Sequence, residues 1–165
     1  MAKVRPRLDS DLPASALLLA DVYNHSGYPV QGATNAVGLL TEPLPNHAWV
    51  LEVDDLILGH VMIRDKAGQN SESPQWEVSK LFISPKAAGK GYGMMLLQET
   101  MNWAKERNLE LTLFVLDKDK IAMKLYKKAG WVMTREDIYK WGEGSEMKSY
   151  YFAWKSTEKA DDIPL

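Results

Sequence analysis

Six residues constrain this chain more than any others: Ala88-Gly89-Lys90-Gly91-Tyr92-Gly93, which join a segment of strand character, 76 to 83, to a helical one, 91 to 107. Ser84-Pro85 stops the strand, because proline brings no amide to a sheet ladder. Beyond the turn, apolar residues at 94, 97, 101 and 104 mark one helix face, and those at 95, 96 and 103 widen it. The first amides of a helix lack an intrahelical acceptor and point at whatever fills the turn before them. Glycines let a ligand approach the backbone, the helix dipole adds partial positive charge, and Lys86 and Lys90 add full charges. These properties predict a cradle for a pyrophosphate. Taken alone, the run also suits a plain strand-to-helix turn. It is neither common nucleotide motif: the GxxxxGK[ST] spacing is absent, and Met94 stands where a dinucleotide fingerprint has its third glycine.

The flanking sequence supplies the context. Residues 3 to 7 read as a first strand; Asp9, Ser10 and Asp11 offer capping oxygens, and Pro13 suits the first turn of a helix reaching Tyr23. From Gly27 to Pro45 repeated glycine and proline leave room for one short helix at most, in a segment of the kind that lines a substrate entrance. His47 to Val53 and Leu56 to Ile63 form a hairpin across Asp54-Asp55, and 65 to 75 is a solvent loop. The apolar run 109 to 116 suits a central strand, and 119 to 129 is helical with Gly130 as its stop. Segments 131 to 139 and 145 to 155 make a last hairpin across Gly142 and Gly144. The whole chain, 1 to 165, reads as one domain with an ordered core from about 3 to 155 and a polar tail from 156.

Composition narrows the chemistry. Without cysteine there is no thiol nucleophile, thiolate metal site or disulfide, which fits a cytoplasmic setting. A net charge of -2 gives no reason to expect a nucleic acid partner, and no apolar run is long enough to span a membrane. His25, His47 and His60 lack metal-ligand spacing, so no metal is expected, and a hydrolase's Gly-x-Ser-x-Gly elbow is missing. Trp131, Tyr139, Trp141, Tyr150, Tyr151, Phe152 and Trp154 read as core together with a subunit contact, consistent with a homodimer; part of this cluster could instead cage a cationic amine. Glu52, Asp54, Asp55 and Glu72 could draw in such a cation, although loop acids are commonly just solvated.

The segment from Leu81 through Gly93 resembles the central motif of the GNAT acetyltransferase superfamily, Gln/Arg-x-x-Gly-x-Gly/Ala, with Gly91 and Gly93 on its glycine positions. A second block, Ala122-Met123-Lys124-Leu125-Tyr126-Lys127-Lys128-Ala129-Gly130-Trp131, is similar to the family's A-x-x-LY-x-K-x-GF ending. With the Arg-Pro-x-x-x-x-Asp-Leu-Pro opening, the resemblance spans roughly residues 3 to 155. It implies a mixed α/β (α+β) fold, a twisted and mostly antiparallel central sheet of about six to seven strands flanked by helices. It also implies an N-acetyltransferase that uses acetyl-coenzyme A and moves the acetyl group directly to an amine.

On this resemblance, amides of Leu81, Phe82 and Ile83 hold the pantetheine arm. Ala88, Gly89, Lys90, Gly91, Tyr92, Gly93 and Met94 surround the pyrophosphate, and Asp119, Ala122 and Tyr126 lie along the carrier. The sequence departs from the family at Ala88, which replaces the Gln/Arg side chain, and at Asp119, where many members have asparagine. A lysine-like amine has a pKa of about 10.4 and must lose its proton to attack. Glu77 stands where the histone-modifying branch carries its catalytic glutamate, to act directly or through water, and Tyr126 stands where the family protonates the departing thiolate. An amino acid, polyamine or amine antibiotic is the expected acceptor. The alternatives are a protein or peptide acceptor, which Phe114 disfavours because ribosomal-protein acetyltransferases place a glutamate there, and a non-catalytic acyl-coenzyme A binding module.

Overall fold

The computed structural model describes residues 1–68 and 72–157. Residues 69–71 of the expected solvent loop and 158–165 of the expected tail lie outside them. Seven strands form one sheet: β1 Ala2–Pro6, β2 Asn46–Val53, β3 Leu56–Asp65, β4 Trp76–Ile83, β5 Leu111–Leu116, β6 Val132–Trp141 and β7 Ser145–Trp154, in the order β1-β2-β3-β4-β5-β7-β6. Four helices accompany them: α1 Leu12–Ser26, α2 Ala36–Thr41, α3 Tyr92–Glu106 and α4 Lys120–Lys128. The order of elements and the largely antiparallel sheet match the expectation.

Local chemistry explains the corners. Asp54 and Asp55 both take left-handed backbone angles, φ 49° and 66°, which suits the tight turn of a right-twisted hairpin. Gly27 closes α1 at φ 76°. Arg5 grips both carboxylate oxygens of Asp11 at 2.7 and 2.9 Å, tying β1 to the start of α1 and holding that carboxyl below its usual range.

Alternation along the strands sends apolar side chains to both faces. On one face Val61, Ile63, Val78, Leu111, Leu113 and Phe152 pack with Leu96, Leu97 and Met101 of α3, and Met123 and Tyr126 of α4 join them. On the other, Leu18, Leu19 and Val22 of α1 and Leu40 of α2 pack around Phe82. Among the described residues no helix is long and apolar enough to cross a membrane.

One strand pair departs from antiparallel order. β4 and β5 run parallel and meet only at Trp76↔Leu111 and Glu77↔Thr112. From Val78 to Ile83, β4 pairs with β3 alone, and its other edge opens toward β5. A bulge adds to the divergence: His60 pairs with Phe82 and Met62 with Ser79, so Lys80 and Leu81 stand opposite the single residue Val61, with Lys80 at φ 51°.

Gly59 allows α3 to sit this close to the sheet. A Cβ there would lie 2.8 Å from the Ile83 tip, 2.9 Å from that of Leu96 and 3.1 Å from Leu51 Cβ. The first two are flexible chain ends, but the third is fixed to a strand. Gly59→Ala is therefore expected to lower the unfolding free energy by about 1–3 kcal/mol, the usual penalty of overpacking. Urea denaturation measures it, and unchanged stability would show that the core yields freely at this point.

Candidate active site

The opening between β4 and β5 is built from backbone. Ser84 donates its amide to Leu58 O at 2.8 Å, toward β3. Alternation along the strand turns Phe82 the same way and leaves the amides of Leu81 and Ile83 on the open edge. Of three consecutive residues expected to supply amides, two therefore face the notch, while the Phe82 side chain sits beneath α1 and α2.

Below this edge the chain passes through a short 3-10 turn, Pro85–Ala87, into the glycine segment. Gly89 and Gly91 adopt φ 77° and 79°, and a Cβ at either would meet nothing within 4 Å. Glycine is required there for backbone angle, not for room. Gly91 takes the N-cap position of α3 without a side chain to cap it. The first intrahelical bond is Met95 N to Gly91 O, so the amides of Tyr92, Gly93 and Met94 precede the ladder and stay available. Ala88 and Lys90 are exposed beside them. A Cβ at Gly93 would touch Leu125 of α4 at 3.4 Å, so this glycine brings α3 and α4 together at the notch.

The opposite wall comes from α4. Ala122 and Tyr126 lie four residues apart on its inner face. Tyr126 is 8% exposed and packs against Trp131 and Phe152, with ring centroids 6.2 and 6.0 Å apart. Burial, with the negative charge of Asp119 added, pushes its phenol pKa up, so it holds its proton at neutral pH. Asp119 occupies the N-cap position of α4 without a capping hydrogen bond, and burial raises its carboxyl in turn.

Glu77 lies at the closed end of the notch, where β4 and β5 still pair. It is 2% exposed. Arg64 donates to Oε1 through Nε and Nη2 at 3.1 and 3.0 Å, and Lys66 Nζ stands 3.2 Å from Oε2. Two cations therefore hold the carboxylate proposed from sequence as a base.

Sequence reasoning missed three groups here. Tyr28 tilts against Phe82, with ring centroids 6.5 Å apart, and burial, with the charge of Asp119 added, pushes its phenol pKa up. Lys80, on the bulge, is pulled down to about 8 by desolvation and by Arg64, against the attraction of Glu77. His60 is fully buried, stacked on Phe82 with centroids 5.0 Å apart. Its Nδ1 donates to Lys80 O at 2.9 Å, and Nε2 accepts from Arg7, which also donates to Leu40 O at 2.7 Å. This chain of contacts pins the bulge. A lone polar residue in the apolar run from Leu56 to Ile63 was its signal. Among the described residues no group of three or more His, Asp or Glu is placed to hold a metal.

Comparison with known proteins agrees with this fold. The Acetyltransferase (GNAT) family matches residues 17–131. A GNAT-family acetyltransferase from Streptococcus pneumoniae superposes at TM-score 0.77 with 16% identity, over 94% of this chain and 100% of its own. NAA60 of Arabidopsis thaliana, solved with acetyl-CoA, gives 0.74 and 15% over 94% and 98%. The ribosomal-protein-S18-alanine N-acetyltransferase of Escherichia coli gives 0.75 and 13% over the full length of both chains. At such identities the likeness establishes the fold. No curated protein sequence matches significantly.

Burial holds the imidazole of His60 down to about 3, so the folded protein keeps it neutral while the unfolded chain protonates it near 6.5. Between those values the unfolded state binds more protons, and stability falls with decreasing pH by up to about 1.4 kcal/mol per unit. Urea midpoints taken from pH 7 to pH 4 should show this loss. His60→Asn, which retains a donor but cannot titrate, should flatten it; parallel slopes would assign the acid sensitivity to other groups.

Proposed function

Because the chain belongs to the GNAT acetyltransferase family, we propose that it transfers acetyl from acetyl-coenzyme A directly to the primary amine of a small molecule. The observation that carries the reading is the pairing of an unpaired strand edge with uncapped helix amides. Leu81 and Ile83 present peptide groups toward β5, and Tyr92, Gly93 and Met94 present theirs at the end of the same groove. These peptide groups have no hydrogen-bond partner on that side within the chain, so the groove offers a row of donors and acceptors to a ligand's amides and phosphates.

Acetyl-coenzyme A fits these residues: its diphosphate suits the amides and left-handed glycines, and its pantetheine amides suit the strand edge. When bound it supplies the acetyl group as an activated thioester. Loss of the Gln/Arg side chain at Ala88 leaves the grip to backbone, with Lys86 and Lys90 exposed nearby. The amides on the open edge of β4 polarise the carbonyl that is attacked. Tyr126, whose proton is retained through burial, delivers it to the departing sulfur. Glu77 receives the acceptor's proton through water, since its own oxygens are shielded behind Arg64 and Lys66.

The cover of the acceptor side supports a small substrate. Gln31, in the segment between α1 and α2, donates to Tyr139 OH of β6 at 2.6 Å, and Lys118 Nζ reaches Ser26 O at 3.4 Å. The segment expected to line the entrance is thus tied to the last hairpin, and the end of α1 to the loop between β5 and α4.

Calorimetry with acetyl-coenzyme A tests the binding step: saturable association is expected, and none at all in the folded protein would overturn the reading. Thiol release across an amine panel then tests transfer, and binding without release would leave a non-catalytic module. Tyr126→Phe should lower kcat by roughly a hundredfold, the usual worth of a positioned acid. In Glu77→Gln the pH–rate profile should move toward higher pH, because the acceptor must then arrive neutral. A profile that stays in place would make Glu77 an anchor for Arg64 and Lys66.

A further inference from the structure

The part of the sheet in front of the closed end of the notch carries an excess of positive charge. Cross-strand register places its residues on one face: Arg64 opposite Glu77, Glu77 opposite Thr112, Phe114 opposite Tyr151, and Tyr151 opposite Arg135. Lys66 Nζ lies 5.7 Å from the centre of the Tyr151 ring, and the Arg135 guanidinium lies 3.9 Å from it. Two cations from distant strands, β6 and the end of β3, thus converge on one aromatic ring. With Arg64 they make three cations, and Lys80, on the bulge of β4, is a fourth near Arg64 and Glu77.

Few anions oppose them among the described residues. Glu77 is shared between Arg64 and Lys66. Asp137 stands 3.7 Å from Arg135, with both side chains more than half exposed, so that pair is worth little. Two of the acids that sequence alone offered as a lure for a cation, Glu52 and Asp54, lie elsewhere. Glu52 is held by Lys3 and Arg5 at the far edge of the sheet, and Asp54 pairs with the N-terminal ammonium. An aromatic cage for a cationic acceptor is also taken, since the protein's own Lys66 and Arg135 lie over Tyr151. The coenzyme's phosphates do not account for the charge either: Glu77 and Ile83 are six residues apart on β4, roughly 20 Å of extended chain.

We infer that the acceptor carries an anionic group beside its amine, an amino-acid-type molecule whose carboxylate is received by Lys66 and Arg135 over the Tyr151 ring. Lys66 spends one donor on Glu77 and keeps others, and Arg135 presents a guanidinium that can take a carboxylate in bidentate fashion. A polyamine or an aminoglycoside meets the same field as repulsion. This inference rests on the acetyltransferase reading and specifies its substrate.

Thiol release from acetyl-coenzyme A is measured with free amino acids, the matching amino-acid amides, and polyamines. Free acids are expected to show kcat/KM at least roughly tenfold above their amides, the worth of one charge-assisted hydrogen bond. The KM of the acids should rise with ionic strength. Arg135→Gln, at an exposed strand position, should collapse the acid-to-amide preference mainly through the KM of the acid, and Lys66→Gln should do the same. Amides or polyamines used as well as the acids, or a preference unmoved in both variants, would overturn the inference while leaving the acetyltransferase standing. Absence of thiol release with every acceptor would overturn both.

Discussion

Two parallel strands that hydrogen-bond at only two positions leave peptide groups facing a gap, and this gap organises the molecule. Trp76 and Glu77 still pair with β5, and everything beyond them on β4 has a partner on one side only. The bulge at Lys80 and Leu81 directs the strand away, and the Arg7–His60–Lys80 O contacts hold the bulge from beneath. One edge is left without strand partners, and α3 and α4 are brought together beside it. Gly93 contributes by letting Leu125 approach, and Gly59 by letting Leu96 settle against the sheet.

Much of this was readable beforehand, for physical reasons that differ by element. The glycine turn and α3 are local features: a proline stop, left-handed glycines and helical spacing all act within a few residues. The hairpin at Asp54-Asp55 and the final hairpin are equally local, since turn chemistry sets their register. The Glu77 position and the Tyr126 block were legible through family resemblance, which carries residue type but not surroundings. Their surroundings depend on contacts between residues far apart in the chain. That Arg64 and Lys66 close on Glu77 follows from the β3–β4 register, and that β7 inserts between β5 and β6 follows from packing of the whole sheet. Neither leaves a trace in periodicity. Lys80 shows the limit most clearly, because nothing in its neighbours announces a positive φ at that strand position.

Electrostatics divides the molecule along β4. At the glycine end the charges are the partial ones on uncapped amides, and the nearby lysines are exposed and screened. At the Glu77 end the charges are whole, partly buried and close together. An anion at each end is the arrangement such a field favours, which the proposed coenzyme and the inferred acceptor would supply, with the reacting centres between them. Direct transfer needs this ordering, since both substrates must be held at once with their reactive atoms in contact.

The same field bears on how an acceptor loses its proton. Lys80 is an amine already resident on the bulge, and desolvation together with Arg64 brings it down to about 8 from an ordinary 10.5. In the proposed reaction an acceptor amine beside it would meet the positive charges of Lys80 and Arg64, which disfavour its protonated form. A drop of that size raises the neutral fraction at pH 7 by roughly two orders of magnitude. An amine lowered to about 8 is still mostly protonated at pH 7, so the environment loosens the proton and a base must still take it. On the proposed mechanism, a carboxylate whose oxygens are occupied by Arg64 and Lys66 has only to relay, through water, a proton that the surrounding charges have loosened.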